Sequence, residues 1–211
     1  MKIVIIDYGS GNLQSVVNAL ESLKTGHEIV ISARKEDLKK ATHIILPGVG
    51  AFGDCMAGLK VQEGFAEEMR YQAVVEQKPF LGICVGMQVL ASMGYENGEH
   101  KGLGFIDGKV VKIEAKDDLK VPHMGWNELI INEAHSKHQL LKGIQNGDHV
   151  YFANSYHFLC QNSGNIVAQT DYGFKMSAIL AKRNIVGIQF HPEKSGEVGL
   201  KILKNFLDWR Y

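Results

Sequence analysis

The chain has 211 residues, 45% hydrophobic and 22% charged, which suits an ordinary globular protein with a sizeable core. Lysine plus arginine and aspartate plus glutamate stand at 23 each, so no net charge draws it to nucleic acid or to an anionic membrane. Three cysteines (Cys55, Cys84, Cys160) with no C-x-x-C pair argue against a disulfide framework or a zinc knuckle and fit a reducing cytoplasm.

In chain order, the first apolar run, Ile3–Ile6, stops at Asp7. It is too short for the core of a signal peptide, and no run approaches the roughly 18 residues of a membrane span. Runs without polar alternation recur at Ile29–Ile31, Ile44–Leu46 and Phe80–Ile83. Each predicts a strand covered on both faces, as in a parallel sheet. Leu13, Val16, Val17, Leu20 and Leu23 share one helical face, which predicts an amphipathic helix after the first strand. Phe65 and Met69 mark another helix, and Met87, Leu90 and Ala91 one more after the fourth strand. Strand–helix alternation predicts an α/β fold with right-handed crossovers.

After about residue 100 the texture changes. Lys109–Glu114 and Glu128–Asn132 predict strands of a more antiparallel sheet, and Val150–Ala153, Ile166–Thr170, Ser177–Ala181 and Val186–Phe190 continue it. Ser195 is placed to cap a final helix, with Glu197 in its first turn and Val198, Ile202, Leu203, Phe206 and Leu207 on its core face. No linker, repeat or low-complexity stretch interrupts the chain, so residues 1–211 are expected to form a single domain.

The chemistry centres on Gly82-Ile83-Cys84-Val85-Gly86, directly after an apolar strand. G-x-nucleophile-x-G is the pattern of a nucleophile elbow, in which glycines flank a strained turn into a helix whose positive end favours a thiolate. By itself the pentapeptide leaves a plain buried cysteine as the alternative. A catalytic cysteine needs a base, and the base an orienting group. Gly187-Ile188-Gln189-Phe190-His191-Pro192-Glu193 offers both: His191 ends a strand-like run, and Glu193 two residues on can emerge on the same side. Leu46-Pro47-Gly48-Val49-Gly50 follows the third strand and can aim backbone N–H groups, with that of Val85, at an oxyanion. The Val49 peptide, flanked by glycines, could turn to complete or abolish that hole. The loop lacks the Lys-Ser/Thr of a nucleotide P-loop, and Gly9-x-Gly11 is too short for a dinucleotide fingerprint.

Elbow, Pro-Gly-x-Gly loop and late Phe-His-Pro-Glu, in that order, resemble the class I, triad-type glutamine amidotransferases. Asp7-Tyr8-Gly9-Ser10-Gly11-Asn12-Leu13, Pro47–Phe52, Gly102-Leu103-Gly104, Pro122-His123-Met124-Gly125-Trp126-Asn127 and Pro192-Glu193-Lys194-Ser195 narrow the likeness to the glutaminase subunits of imidazole glycerol phosphate synthase, over essentially the whole chain. The resemblance implies an open three-layer α/β sandwich with a mostly parallel central sheet and an antiparallel, strand-rich second half. It implies a triad of Cys84, His191 and Glu193, and glutamine held by Gly50, Gln88, Glu96, Ser155 and Tyr156. Asn12, Tyr151 and Lys194 fall where the family meets a (β/α)8-barrel cyclase partner around an ammonia exit. No metal or organic cofactor is implied.

Two of these residues keep a plainer alternative. Gln88 could be an exposed helix residue, and Glu96, in Glu96-Asn97-Gly98-Glu99, part of a solvated loop. The chain departs from the family at Asn154, where histidine is common before the Ser-Tyr pair. His123 and His157 read as structural or interface residues, since no metal-binding spacing accompanies them. The rival readings are a stand-alone cysteine hydrolase, the glutaminase of another class I amidotransferase, and a catalytically silent binding module.

Overall fold

The computed structural model describes residues 1–114 and 119–211. Its first half is built on the four unalternating apolar runs. They become strands β1 (Lys2–Ile6), β2 (Glu28–Ser32), β3 (His43–Gly48) and β4 (Phe80–Cys84). Between them lie helices α1 (Leu13–Ser22), α2 (Lys35–Lys40), α3 (Phe52–Gly58) and α4 (Phe65–Arg70), and α5 (Val85–Gln88) follows β4. Ile3, Val4, Ile5, Ile6, Ile44, Ile45, Leu46, Phe80 and Leu81 have no exposed surface, which is why their runs carry no polar residue. The apolar stripe of α1 delivers Val16, Val17 and Leu20 to this core.

The second half holds β5 (Met93–Gly94), β6 (His100–Lys101), β7 (Gly108–Lys112), β8 (His123–Glu128), β9 (Ile130–Ile131), β10 (His149–Asn154), β11 (Tyr156–Cys160), β12 (Ile166–Asp171), β13 (Lys175–Lys182), β14 (Ile185–Ile188) and α6 (Gly196–Asp208). The main sheet has the order β2-β1-β3-β4-β14-β13-β12-β9. The pairs from β2 to β14 are parallel and those from β14 to β9 antiparallel. A β10–β8 pair and a four-stranded sheet, β11-β7-β5-β6, complete the strands. Right-handed crossovers running in opposite directions from β1 place α1 on one face and α2 to α4 on the other. α6 packs with α1, giving three layers.

Four expectations need correction. The run Ile29–Ile31, expected to be covered on both faces, lies in β2, the edge strand of the main sheet, with Ile29 and Val30 half-buried and Ile31 40% exposed. The strand expected over Glu128–Asn132 is two strands serving different sheets: β8 pairs with β10, β9 with β12, and the buried Leu129 is the corner between them. The helix after the elbow is a single turn, with Leu90 and Ala91 beyond its end. The carbonyls of Val89, Leu90 and Ala91 accept instead from Leu103, from Phe105 and Ile106, and from Gly104, so residues 103–106 take over the bonds that would continue the helix. Ser195 stands at the start of α6 but does not cap it. Its hydroxyl donates to the His191 carbonyl at 2.6 Å and accepts from the Tyr151 N–H at 2.9 Å, tying β10 to the His191 loop.

The placement of β14 decides the site. It joins the antiparallel strands on one side yet pairs in parallel with β4 on the other, Val186 to Leu81 and Ile188 to Ile83. The carboxyl ends of β4 and β14 therefore lie together, as in the ligand crevice of open α/β sheets.

Candidate active site

Cys84 ends β4 with φ +55° and ψ −112°, a strained backbone for a residue with a side chain. A Cβ on Gly82 would strike the Gly86 carbonyl, and one on Gly86 the Leu46 carbonyl. Glycine is required at both positions because β3 and the elbow run backbone against backbone. Since α5 is one turn long, little macrodipole accumulates behind the cysteine.

His191 lies just past β14, and its backbone N–H is held by the Tyr151 carbonyl at 2.9 Å. Its Nδ1 donates to Glu193 Oε1 at 2.9 Å, with the two side chains 7% and 2% exposed. That fixes the tautomer and leaves Nε2 for the Cys84 thiol. Burial alone would lower the His191 pKa. Hydrogen bonds and charge from Cys84 and then Glu193 outweigh it and raise the pKa to about 10. Among the described residues nothing bonds Glu193 Oε2, which is buried. A gap of about 10 Å³ behind this trio is lined by Asn12, Val16, Val49, His191 and Glu193.

Cys84 and His191 share a cleft of about 330 Å³ with Val49, Gly50, Val85, Gln88, Glu96, Ser155 and Tyr156, so the expected substrate contacts come together. Gln88 is buried, which removes the reading of an exposed helix residue. Its Nε2 donates to the Tyr156 carbonyl at 3.0 Å and to Gln189 Oε1 at 3.1 Å. Glu96 is half-buried and accepts the Phe52 N–H at 2.8 Å at the start of α3, so it is not a solvated loop residue. Gly50 has φ +89° with open space above it. Ser10 Oγ donates to the Val49 carbonyl at 3.5 Å, so the planar Val49–Gly50 peptide turns the Gly50 N–H the opposite way.

Tyr151 and Lys194 stack, with the ammonium 5.9 Å from the ring centroid. Trp126 meets the same ring edge-on at 6.1 Å. Trp126 and Met124 are 57% and 64% exposed on β8, a large apolar surface beside the cleft rim. Asn154 lines the cleft and donates to the Tyr156 carbonyl at 3.0 Å, and among the described residues its buried Oδ1 has no partner. His123 stacks between Phe152 and Tyr172, and His157 meets Phe174 edge-on. Burial lowers both histidines to about 4, a structural setting for each.

Sequence reasoning missed Gln189, the exposed pair Met124 and Trp126, and the lining role of Asn154. The signals were present: Gln189 is two residues before His191, and Met124 and Trp126 stand two residues apart among His123, Gly125 and Asn127, so in a strand they share one face.

Solved structures with the same fold include a glutamine amidotransferase with a TM-score of 0.73 at 19% identity over 97% of each chain. The PurLQS structure from Thermotoga maritima gives 0.70 at 21% identity, over 98% of this chain and 97% of that one. The family described as Glutamine amidotransferase class-I matches residues 4–209. The chain belongs to the class I glutamine amidotransferases. Within that family it groups with imidazole glycerol phosphate synthase subunits. It is 46% identical to the HisH subunit of Rhodospirillum rubrum over 99% of both chains, and 46% identical to the subunit named HisH 1 of Campylobacter jejuni over 97% of this chain and 98% of that one. As a member of this group the chain is a glutaminase.

Proposed function

We propose that Cys84, His191 and Glu193 form the catalytic triad of this glutaminase, within one amidotransferase domain spanning residues 1–211. The observation that carries the reading is His191, fastened by Glu193 on one ring nitrogen and turned to the Cys84 thiol with the other, on the wall of a cleft.

His191 takes the Cys84 proton, and the thiolate attacks the side-chain amide carbon of glutamine. The tetrahedral oxyanion is held by the Val85 N–H and by N–H groups of the Val49–Gly50 loop. As it collapses, His191 gives its proton to the departing nitrogen, and ammonia leaves. Water, deprotonated by His191, then hydrolyses the γ-glutamyl thioester to glutamate and restores the thiol. Glu193 keeps the imidazole oriented and its cation stabilised. Glu96 is suited to the substrate ammonium, and the Gln88 amide to its polar end. None of these steps calls for a metal or an organic cofactor.

The chain works in the cytoplasm as one half of a heterodimer. Its partner is the (β/α)8-barrel cyclase, which receives the ammonia and makes imidazole glycerol phosphate and aminoimidazole carboxamide ribotide in histidine biosynthesis. Asn12, Tyr151 and Lys194, with the exposed Trp126 and Met124, form the docking side. Free glutaminase activity would waste glutamine, so basal turnover is low and rises when partner and nucleotide bind and settle the Val49 peptide. The test is glutamine hydrolysis by the chain alone, with the cyclase barrel, and with barrel and nucleotide. Turnover rises at each addition, and Cys84→Ala abolishes it. Full turnover by the chain alone would overturn the activation, and no partner-dependent ammonia transfer would overturn the synthase role.

A further inference from the structure

We propose that Gln189 is a catalytic hydrogen-bond donor that holds the Cys84 thiolate through its side-chain N–H. This rests on Cys84 being the nucleophile. Gln189 Nε2 lies 3.8 Å from Cys84 Sγ, and the residue is buried, with 2% of its surface exposed.

The direction of that contact follows from the amides around it. The Tyr156 carbonyl can only accept, so the group of Gln88 facing it at 3.0 Å is the NH₂. The second proton of the same nitrogen points to Gln189 at 3.1 Å, so the Gln189 atom there is Oε1. Gln189 therefore has its own NH₂ left for the sulfur, and a carbonyl cannot take that place without breaking the link to Gln88. Two further bonds make the chain rigid. The Gln189 backbone N–H donates to the Ala178 carbonyl at 2.9 Å, and Asn154 Nδ2 shares the Tyr156 carbonyl at 3.0 Å.

Topology brings the donor to the sulfur. Ile83 and Ile188 are the last residues that β4 and β14 pair with each other, and one step further each chain reaches Cys84 and Gln189. Gln189 and His191, two residues apart just past β14, both address the Cys84 sulfur. His191 takes and returns the proton, while Gln189 keeps its hydrogen bond in every state and gains strength when the sulfur is charged.

The arrangement replaces a helix dipole that a one-turn α5 scarcely provides. It also couples substrate to nucleophile. Gln88 lines the cleft and holds Gln189, so a ligand that pulls on Gln88 shifts the donor on the thiolate.

The experiment measures alkylation of Cys84 by iodoacetamide against pH, in the full chain and in its Gln189→Glu and Gln189→Met variants. Gln189→Glu keeps an acceptor for Gln88 and turns an acceptor to the sulfur. Gln189→Met removes the donor without adding charge. In both, the alkylation midpoint rises by about one pH unit, and kcat falls about tenfold with a smaller change in KM, the scale of a lost hydrogen bond to a charged group. Circular dichroism shows that the variants remain folded. In the unsubstituted protein labelled with ¹⁵N, the Gln189 side-chain NH₂ resonance moves with the Cys84 titration, a reading that needs no variant to fold. An unchanged midpoint in a folded variant, or an NH₂ resonance indifferent to that titration, overturns the proposal. Alkylation and resonance are read without glutamine, so failure of the glutaminase reading and failure of the Gln189 contact appear as separate results.

Discussion

The parallel half of the molecule and its antiparallel half solve the same problem differently. β1, β3 and β4 are covered on both faces, carry unbroken apolar runs and hold backbone against backbone at the elbow. β10 buries every second residue, β7 and β8 bury one residue each, and β8 leaves Trp126 and Met124 in solvent. The first half gives Cys84, the proposed nucleophile, its strained and tightly packed seat. The second offers surface, and through β14 it brings His191 and Gln189 to Cys84. A site that joins both keeps the proposed reacting atom on the stiffest backbone and the proposed docking surface on the side that tolerates change.

The sharpest way to break this comparison is Gly86→Ala. Its Cβ would meet the Leu46 carbonyl, which sits in a strand with no room to give. We expect a loss of about 4 kcal/mol or more in a denaturant melt, and no measurable glutaminase. A normal melt would show that the parallel half is not stiff there.

Trp126→Ala asks the opposite of the antiparallel half. With 57% of Trp126 exposed, the isolated chain keeps its stability to within about 0.5 kcal/mol. Affinity for the barrel partner falls by about 2 kcal/mol, roughly thirtyfold in Kd by calorimetry. Unchanged affinity would move the docking face elsewhere.

The smallest effect is on pH dependence, and its sign differs between the half and the joint. Burial holds His123 and His157 at about 4, as it does His43 of β3. Their neutral forms stabilise the fold above about pH 6.5, and that stability is lost as pH falls toward 4. His191 runs the other way. Its raised pKa contributes stability below about pH 6.5 that is lost as pH rises through about 10. His157→Phe keeps the edge-on contact with Phe174 and recovers about 1 kcal/mol of the acid loss in urea melts at pH 4 to 7. His191→Asn flattens the alkaline limb instead. If both variants altered the same limb, the assignment of opposite signs would be wrong.

Legibility followed burial. Ile3–Ile6 and Phe80–Ile83 announced themselves because strands wet on neither face need no polar residue. Tyr156–Cys160 and His123–Asn127 did not, because a strand with one wet face spreads its apolar positions among histidine, asparagine and glycine. Glu128–Asn132 read as one strand because the corner at Leu129 is itself apolar. Ser195 stands where a cap belongs, yet its hydroxyl serves Tyr151 and the His191 carbonyl, and a local pattern does not show a partner on another strand.

By itself the sequence determined the strained cysteine, the glycines around it, and the pairing of His191 with Glu193 two residues away, because each is a short-range demand of backbone or side-chain geometry. Only the tertiary structure decided that β14 runs parallel to β4 with Ile188 beside Ile83. That register depends on which strand edges the whole core leaves open, and it alone carries Gln189 and His191 across more than a hundred residues of chain to the sulfur.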